Sequence, residues 1–169
     1  MQHYAAFLRG VSPMNCKMPA LAKAMEGAGF SHVRTLLSSG NVVFAGPRAP
    51  EAALRKKVEA ATGFTAFIRT IDELAALLET DPFKPHRVPA TAKRVVTFLH
   101  EAPQPPPSLP IEQQEARIVA LHGRDVFSAY VPQPGNPVFM TLIAKTFGKE
   151  QTTRTWDTLA KVVKAGQAG

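Results

Sequence analysis

The stretch with the most chemically capable side chains is TTRTWDT at residues 152–158, which holds four hydroxyls, a cation, an anion and the single tryptophan. Asp157 suits the first turn of a helix, where its charge complements the positive end of the helix dipole, and Trp156 begins an apolar face. A helix start here explains every residue except Arg154, because a cation is unfavourable near a helix N-terminus. The stretch is therefore predicted to begin a helix in which Arg154 needs an anionic partner.

Two partners for Arg154 remain open. One is a carboxylate, such as that of the nearby Glu150. The other is a bound anion, held by the guanidinium together with the hydroxyls of Thr152 and Thr153 and the free amides of the helix start. The first interpretation makes the segment purely structural, and the second makes it a site for a phosphate-bearing ligand.

A second group of candidate binding residues lies near the N-terminus, in the connection between a predicted strand and a predicted helix at residues 9–17. Arg9, Asn15 and Lys17 could bind an anion there, because loops on a rigid scaffold often carry binding groups. Our hypothesis is that these three residues and residues 152–154 border one concave pocket. The hypothesis requires that separate segments converge, which the sequence alone does not decide.

Other kinds of site find no support in the sequence. The five histidines show no spacing that would place two metal ligands on one helical face, so we predict no metal site. No nucleotide-binding fingerprint of the P-loop or Rossmann kind occurs, and we expect no cofactor. Cys16 lies beside a cation, but no histidine in the local sequence could act as its base. Catalytic residues therefore stay unknown, and it stays open whether the chain is an enzyme.

The charge of the chain favours anionic partners. The formal net charge is +7, and the excess lies mostly in the second half: residues 1–82 hold nine basic and seven acidic side chains, and residues 83–169 hold eleven and six. A solvated basic surface that aids solubility explains the same count. No apolar run is long enough to cross a bilayer, the N-terminus lacks the order of an export signal, and a lone cysteine can form no internal disulfide. We predict a cytoplasmic protein that does not contact a membrane.

The elements that must position these residues follow a βαββαβ order in the first half. A nearly continuous apolar run at residues 4–8 predicts a strand covered on both faces. A helix with Pro19 in its first turn follows, then a hairpin at residues 33–45 whose turn holds Gly and Asn, a second helix and a further strand. This order is that of the ferredoxin-like fold. Thr70 and Glu73 have the spacing of a capping box, which predicts a third helix.

The second half repeats parts of this pattern. FLRG at residues 7–10 is echoed by FLHE at residues 98–101, and a second hairpin with glycine at its turn is predicted at residues 120–127. We predict a duplication: an α+β chain of two tandem ferredoxin-like halves with mainly antiparallel sheets. The halves are residues 1–82 and residues 83–169, the latter with a proline-rich connection and a C-terminal helix.

Four separated motifs resemble those of a bacterial family called domain of unknown function 1697. They are FLRG at 7–10, SSGNVVF at 38–44, Pro-Phe at 82–83 and TTRTWDT at 152–158. The resemblance runs from about Tyr4 to Val163 and implies an α+β fold of two ferredoxin-like halves, with no known function. Where the family reads INVGG after FLRG, this chain reads VSPMN, and Pro13 there removes an amide donor and stiffens the loop.

The function that we predict is binding of a small anionic, phosphate-bearing ligand or a nucleotide. A small enzyme acting on a phosphorylated or carboxylated metabolite is an alternative, and a ligand-free structural or dimerisation module is another. Nucleic acid is a weaker candidate, since an RNA-binding sheet needs aromatic rings on one exposed face, whereas Tyr4 and Phe7 point to opposite faces of a strand. The oligomeric state is not predicted.

Overall fold

The structure is a computed structural model that describes residues 1–135 and 137–168, and within them it contains nine strands and five helices. In chain order the elements are β1 (Gln2–Leu8), α1 (Met18–Gly27), β2 (Ser31–Leu36), β3 (Asn41–Gly46), α2 (Glu51–Thr62), β4 (Ala66–Thr70), α3 (Ile71–Thr80), β5 (Lys93–Leu99), β6 (Ile111–Gln113), β7 (Ala116–His122), β8 (Asp125–Tyr130), α4 (Val138–Phe147), β9 (Gln151–Thr155) and α5 (Trp156–Ala168). The predicted α+β class with mainly antiparallel sheets is confirmed. None of the helices in these ranges is both long and apolar enough to span a membrane.

The chain forms two compact units. The first consists of Met1–Glu79 together with the end of the chain from Leu159, and the second is Thr80–Thr158. These units are defined by compactness, whereas the predicted halves, residues 1–82 and 83–169, are defined by a common origin. The predicted division therefore stays a prediction.

The first unit contains a four-stranded antiparallel sheet in the order β2-β3-β1-β4. The central β1 pairs with both β3 and β4, and its last five residues are all buried, as the continuous apolar run predicts. One face of the sheet packs against the buried stripes of α1 and α2. Its core side chains include Tyr4, Leu8, Leu21, Met25, Phe44, Leu54, Val58 and Ile68.

Two local predictions in the first unit are confirmed. The β2–β3 turn places Gly40 at a φ of 85°, and a Cβ added there would lie 2.9 Å from Val11, so both the conformation and the space favour glycine. At the start of α3, the amide of Thr70 donates to Oε1 of Glu73 and the amide of Glu73 donates to Oγ1 of Thr70. This reciprocal pair is the capping box expected from the sequence.

The second unit contains a five-stranded sheet in the order β6-β7-β8-β5-β9. Its core lies between the sheet and α4, where Val95, Ile118, Val126, Phe139 and Ile143 are buried together. The predicted hairpin with Gly123 at its turn is the β7–β8 pair. No helix connects β5 to β7; the proline-rich residues 100–110 and the short β6 form that connection instead.

The helix predicted to begin in TTRTWDT begins later than expected. Residues 151–155 form β9, which pairs antiparallel with β5, and α5 starts at Trp156. The prediction that Thr152, Thr153 and Arg154 lie at a helix N-terminus is therefore wrong. β-Branched threonines favour a strand when a partner strand is available, and Thr153 finds one in Thr97, with the two hydroxyl oxygens 2.7 Å apart.

Candidate anion-binding site

The connection from β1 to α1 carries three of the predicted ligand residues and is held in a defined shape. The Nδ2 of Asn15 donates to the carbonyl of Gly10 at 2.8 Å, and the amide of Ser12 donates to Oδ1 of Asn15 at 2.9 Å. Both ends of the Asn15 amide thus bridge the loop. Asn15 therefore positions the connection, and its role as a direct ligand stays a prediction.

The neighbouring strands fix where this connection begins. The amide of Leu8 donates to the carbonyl of Gly40 at 2.9 Å, and the amide of Arg9 donates to the carbonyl of Thr65 at 2.9 Å. Arg9 leaves the sheet half-exposed, and Lys17 is exposed at the other end of the loop. The connection that carries Arg9 and Lys17 is therefore held by hydrogen bonds at its start and, through Asn15, in its middle.

Lys17 is the N-cap residue of α1, and within the described part of the chain that helix start has neither a side-chain cap nor an acidic residue in its first turn. Lys17 has the extended backbone of an N-cap, with φ −90° and ψ 138°, but no side chain caps the helix and no acidic residue lies in its first turn. The partial positive charge of the helix start then adds to the charge of Lys17. Such a helix start is unfavourable alone, and a bound anion would stabilise it.

The start of α5 is different because the chain itself satisfies it. Oγ1 of Thr155 accepts a hydrogen bond from the amide of Thr158 at 3.1 Å, and Asp157 supplies a negative charge in the first turn. These are the two contributions that an anion would make. Thr155 is thus the residue that caps α5.

Arg154 is mostly buried on β9 and contacts its own strand. It is 8% exposed, and its Nη1 donates to Oγ1 of Thr152 at 2.7 Å and to the carbonyl of Thr153 at 2.9 Å. Burial lowers the pKa of Arg154 to about 10, because desolvation disfavours the charged form. The predicted ligand groups of this segment thus bind one another.

Trp156 follows β9 and packs against two phenylalanines of the second unit. Its ring meets Phe83 edge-on, with ring centroids 5.1 Å apart, and Phe127 at 6.1 Å. The side chain is of intermediate exposure. Its edge-to-face contacts nevertheless make it a packing residue.

The six predicted ligand residues fall into two groups. Arg9, Asn15 and Lys17 lie on one connection of the first unit, and Thr152, Thr153 and Arg154 are consecutive on β9 of the second unit. That the two groups border one pocket stays a prediction.

The second unit contains a cavity of about 360 Å³ that was not predicted from the sequence. Its lining includes Arg87, Glu112 and Arg117. The available signal was the basic excess of residues 83–169, which includes Arg87 and which a solvated surface also explains. The β6–β7 hairpin that forms another wall gives no strong signal, because β6 has only three residues.

Among the described residues, no cluster of three or more His, Cys, Asp or Glu side chains could hold a metal ion. Cys16 is a free thiol of intermediate exposure whose Sγ lies 3.8 Å from the carbonyl oxygen of Lys17. His100 and Glu150 form the pair that most resembles an acid–base dyad, with Nδ1 and Oε1 3.2 Å apart. Glu150 is 71% exposed, however, so this pair lacks the shielded setting that an acid–base catalyst needs.

Comparisons with known proteins agree with the fold and assign no activity. A family model described as a protein of unknown function, DUF1697, matches residues 1–127, which leaves TTRTWDT outside the match. No curated protein matches the chain. A solved structure of the conserved bacterial protein SP0830 from Streptococcus pneumoniae is similar over 99% of both chains, with a TM-score of 0.73 and 19% sequence identity. At that identity the similarity supports the fold alone.

Proposed function

We propose a function from the geometry of the chain itself, since the chain belongs to the DUF1697 family, whose description is that of a protein of unknown function. The proposal is that the protein binds a small anionic ligand that bears a phosphate group, as a free phosphate compound or a nucleotide. The ligand would bind at the β1–α1 connection, where Lys17 and Arg9 supply the positive charge. The observation that carries the proposal is the uncapped start of α1, which has a cation at its N-cap and no acidic residue in its first turn.

The chemistry of such a contact follows from the helix start. Amides in the first turn of α1 have no partners within the helix, although Pro19 removes one of them. A phosphate oxygen would accept hydrogen bonds from these amides, while Lys17 and Arg9 supply charge. The Asn15 bridge across the loop would lower the entropy cost of binding, because the loop is ordered before the ligand arrives.

The role of residues 152–154 in this function is a separate part of the proposal. Thr152 and Arg154 are buried, at 5% and 8% exposure, so direct contact with a ligand would require them to exchange internal hydrogen bonds for ligand bonds. We keep this part of the predicted site as a proposal, tested by Arg154→Leu. That variant should lose phosphate protection only if Arg154 contacts the ligand.

Thermal unfolding in matched salts tests the proposed function. Phosphate should raise the melting temperature more than chloride does at equal ionic strength, since an anion bound to the folded state stabilises it. Lys17→Ser should abolish the difference, because serine removes the charge and its hydroxyl can cap the free amide of Ala20, Pro19 having none. Lys23→Ser, at an exposed lysine between one and two turns further along α1, is the matched control and should keep it.

The outcomes separate a protein that binds an anion from a module without a ligand, and phosphate from a nucleotide. If phosphate and chloride protect equally, the anion-binding function is wrong and a module without a ligand is favoured. If AMP protects more than inorganic phosphate at the same concentration, the ligand is a nucleotide. If Lys23→Ser abolishes the effect as fully as Lys17→Ser does, the protection reflects overall charge and the site is wrong.

We also propose that the two sheets arose by duplication of one ferredoxin-like unit. The support is their strand order: β2-β3-β1-β4 in the first sheet and β7-β8-β5-β9 within the second have the same order of first, second, third and fourth strand. In the second unit the first helix of the motif would have been replaced by the proline-rich connection and β6. Superposition of the two strand quartets, with their antiparallel registers matched, tests this proposal.

A further inference from the structure

The cavity of the second unit is formed by three separate stretches of chain. Its walls come from the irregular segment at residues 87–92, from the β6–β7 hairpin and from the end of β8. Its volume of about 360 Å³ lies at the small end of the range of ligand pockets, which is roughly 300 to 1,000 Å³. A compact organic molecule would therefore fit it.

The lining holds two arginines and two glutamates, which differ in their partners. Glu112 is compensated by Arg117, whose Nε lies 3.0 Å from its Oε1, and Glu115 accepts a hydrogen bond from Gln133. Arg87 is exposed and has no ion pair or hydrogen bond with any described residue. The guanidinium of Arg87 is thus the cation at the cavity that has no ion pair with a described residue, and it is available to an anionic group.

The rest of the lining is largely aliphatic. Val88, Pro89, Ala129 and Val131 provide walls without hydrogen-bonding side chains. A ligand with an apolar body would release water from these walls, which gives a favourable contribution to binding of about 25 cal/mol for each Å² of apolar surface buried. The cavity thus combines an exposed guanidinium with aliphatic side chains on part of its wall.

Gln114 at the tip of the β6–β7 hairpin also lines this cavity. Its φ is 53°, a left-handed conformation that glycine adopts more readily than glutamine. Residues of tight hairpin turns often adopt this conformation, so the β6–β7 turn accounts for it and places Gln114 at the edge of the cavity.

We propose that this cavity binds a small monocarboxylate with an apolar body, and that Arg87 binds the carboxylate. The planar guanidinium matches a carboxylate in a two-pronged hydrogen-bonded pair. Glu112 and Glu115 border the cavity, so a singly charged head group experiences less repulsion than a doubly charged phosphate. The ligand class therefore differs from that of the β1–α1 connection.

Isothermal titration calorimetry of the whole chain tests this site with hexanoate, benzoate, the uncharged analogue hexanamide and inorganic phosphate. Hexanoate or benzoate should bind at millimolar concentration or better, and hexanamide and phosphate should bind at least about tenfold more weakly, a difference of about 1.4 kcal/mol. Arg87→Gln should weaken carboxylate binding by about the same factor. Lys84→Gln is the control of equal charge, because Lys84 is exposed in the same segment but does not line the cavity.

Two further variants make the result specific to this cavity. Ala92→Trp should block carboxylate binding by filling the space, with the urea midpoint measured to show that the variant folds. Lys17→Ser should leave carboxylate binding unchanged, which separates this site from the β1–α1 connection. The proposal is overturned if neither carboxylate binds at millimolar concentration, if hexanamide binds as tightly as hexanoate, or if Lys84→Gln weakens binding as much as Arg87→Gln.

Discussion

The starts of α1 and α5 use similar residues to opposite effect. Both helices follow a polar segment that contains threonine, serine or asparagine and at least one cation. At α5, Thr155 caps the first turn and Asp157 lies in it, so the amides and the dipole are satisfied by the chain. At α1, Lys17 occupies the N-cap without a side-chain hydrogen bond.

The difference shows that residue types alone do not locate an anion site. TTRTWDT has the richer chemistry in the sequence, but its groups bind one another in the folded chain. The β1–α1 connection has fewer polar groups, yet its helix start is unsatisfied. The capacity to bind a ligand depends on which donors remain free after folding.

The largest expected effect is at the first residue of α5. Trp156→Ala should lower the free energy of unfolding by about 3 kcal/mol, because it removes the edge contacts with Phe83 and Phe127. Urea denaturation measures the change, and Trp156→Phe should lose less than half as much. If Trp156→Ala costs less than about 1 kcal/mol, the start of α5 does not depend on this packing.

The next effect tests the cap of α5. Thr155→Ala should lower the free energy of unfolding by about 1 kcal/mol, since the amide of Thr158 loses its acceptor. Thr155→Ser keeps the hydroxyl and should lie close to the wild type. Equal losses in the two variants would mean that the methyl group of Thr155 matters and the cap does not.

The opposite change at α1 should stabilise the protein. Lys17→Ser should raise the free energy of unfolding by about 0.5 to 1 kcal/mol in chloride buffer, because the backbone already has the N-cap conformation and serine supplies the missing acceptor. Thermal unfolding checks this, with Lys23→Ser as the neutral comparison. A destabilised Lys17→Ser would show that Lys17 has a structural contact that outweighs the cap.

The smallest effect concerns pH and the buried guanidinium of β9. Burial lowers the pKa of Arg154 from its ordinary value to about 10, so the side chain is charged in both folded and unfolded states up to about pH 9. Above about pH 10 the folded state releases a proton that the unfolded state retains, so the wild type gains stability relative to Arg154→Met. Urea denaturation of both proteins should give a constant difference from about pH 6 to pH 9. If the difference in unfolding free energy changes with pH within that range, titration of Arg154 is not the only pH-dependent contribution to it.

Local rules were sufficient for much of the fold. The apolar run at residues 4–8, the glycine turn at Gly40 and the capping box of Thr70 and Glu73 each depend on neighbours a few residues away, and each is confirmed. Short-range sterics and hydrogen bonds decide such features before any tertiary contact forms. The element order of the first unit follows from them.

Features that depend on distant partners were not predictable in the same way. The stretch at residues 151–155 is a strand because β5, more than fifty residues earlier, pairs with it, while the local sequence equally suits a helix start. The missing helix between β5 and β7 and the cavity beside Arg87 likewise depend on where the proline-rich chain packs.

The basic charge, most of the local elements and the residue types able to bind an anion can be inferred from the sequence alone. Which of those residues can reach a ligand depends on the tertiary structure. Arg69 and Arg154 lie on the edge strands β4 and β9 and are nearly buried, whereas Lys17 and Arg87 are exposed. The reason is physical: exposure and hydrogen-bond partners are set by contacts between segments far apart in the chain, and the identity of a residue does not encode them.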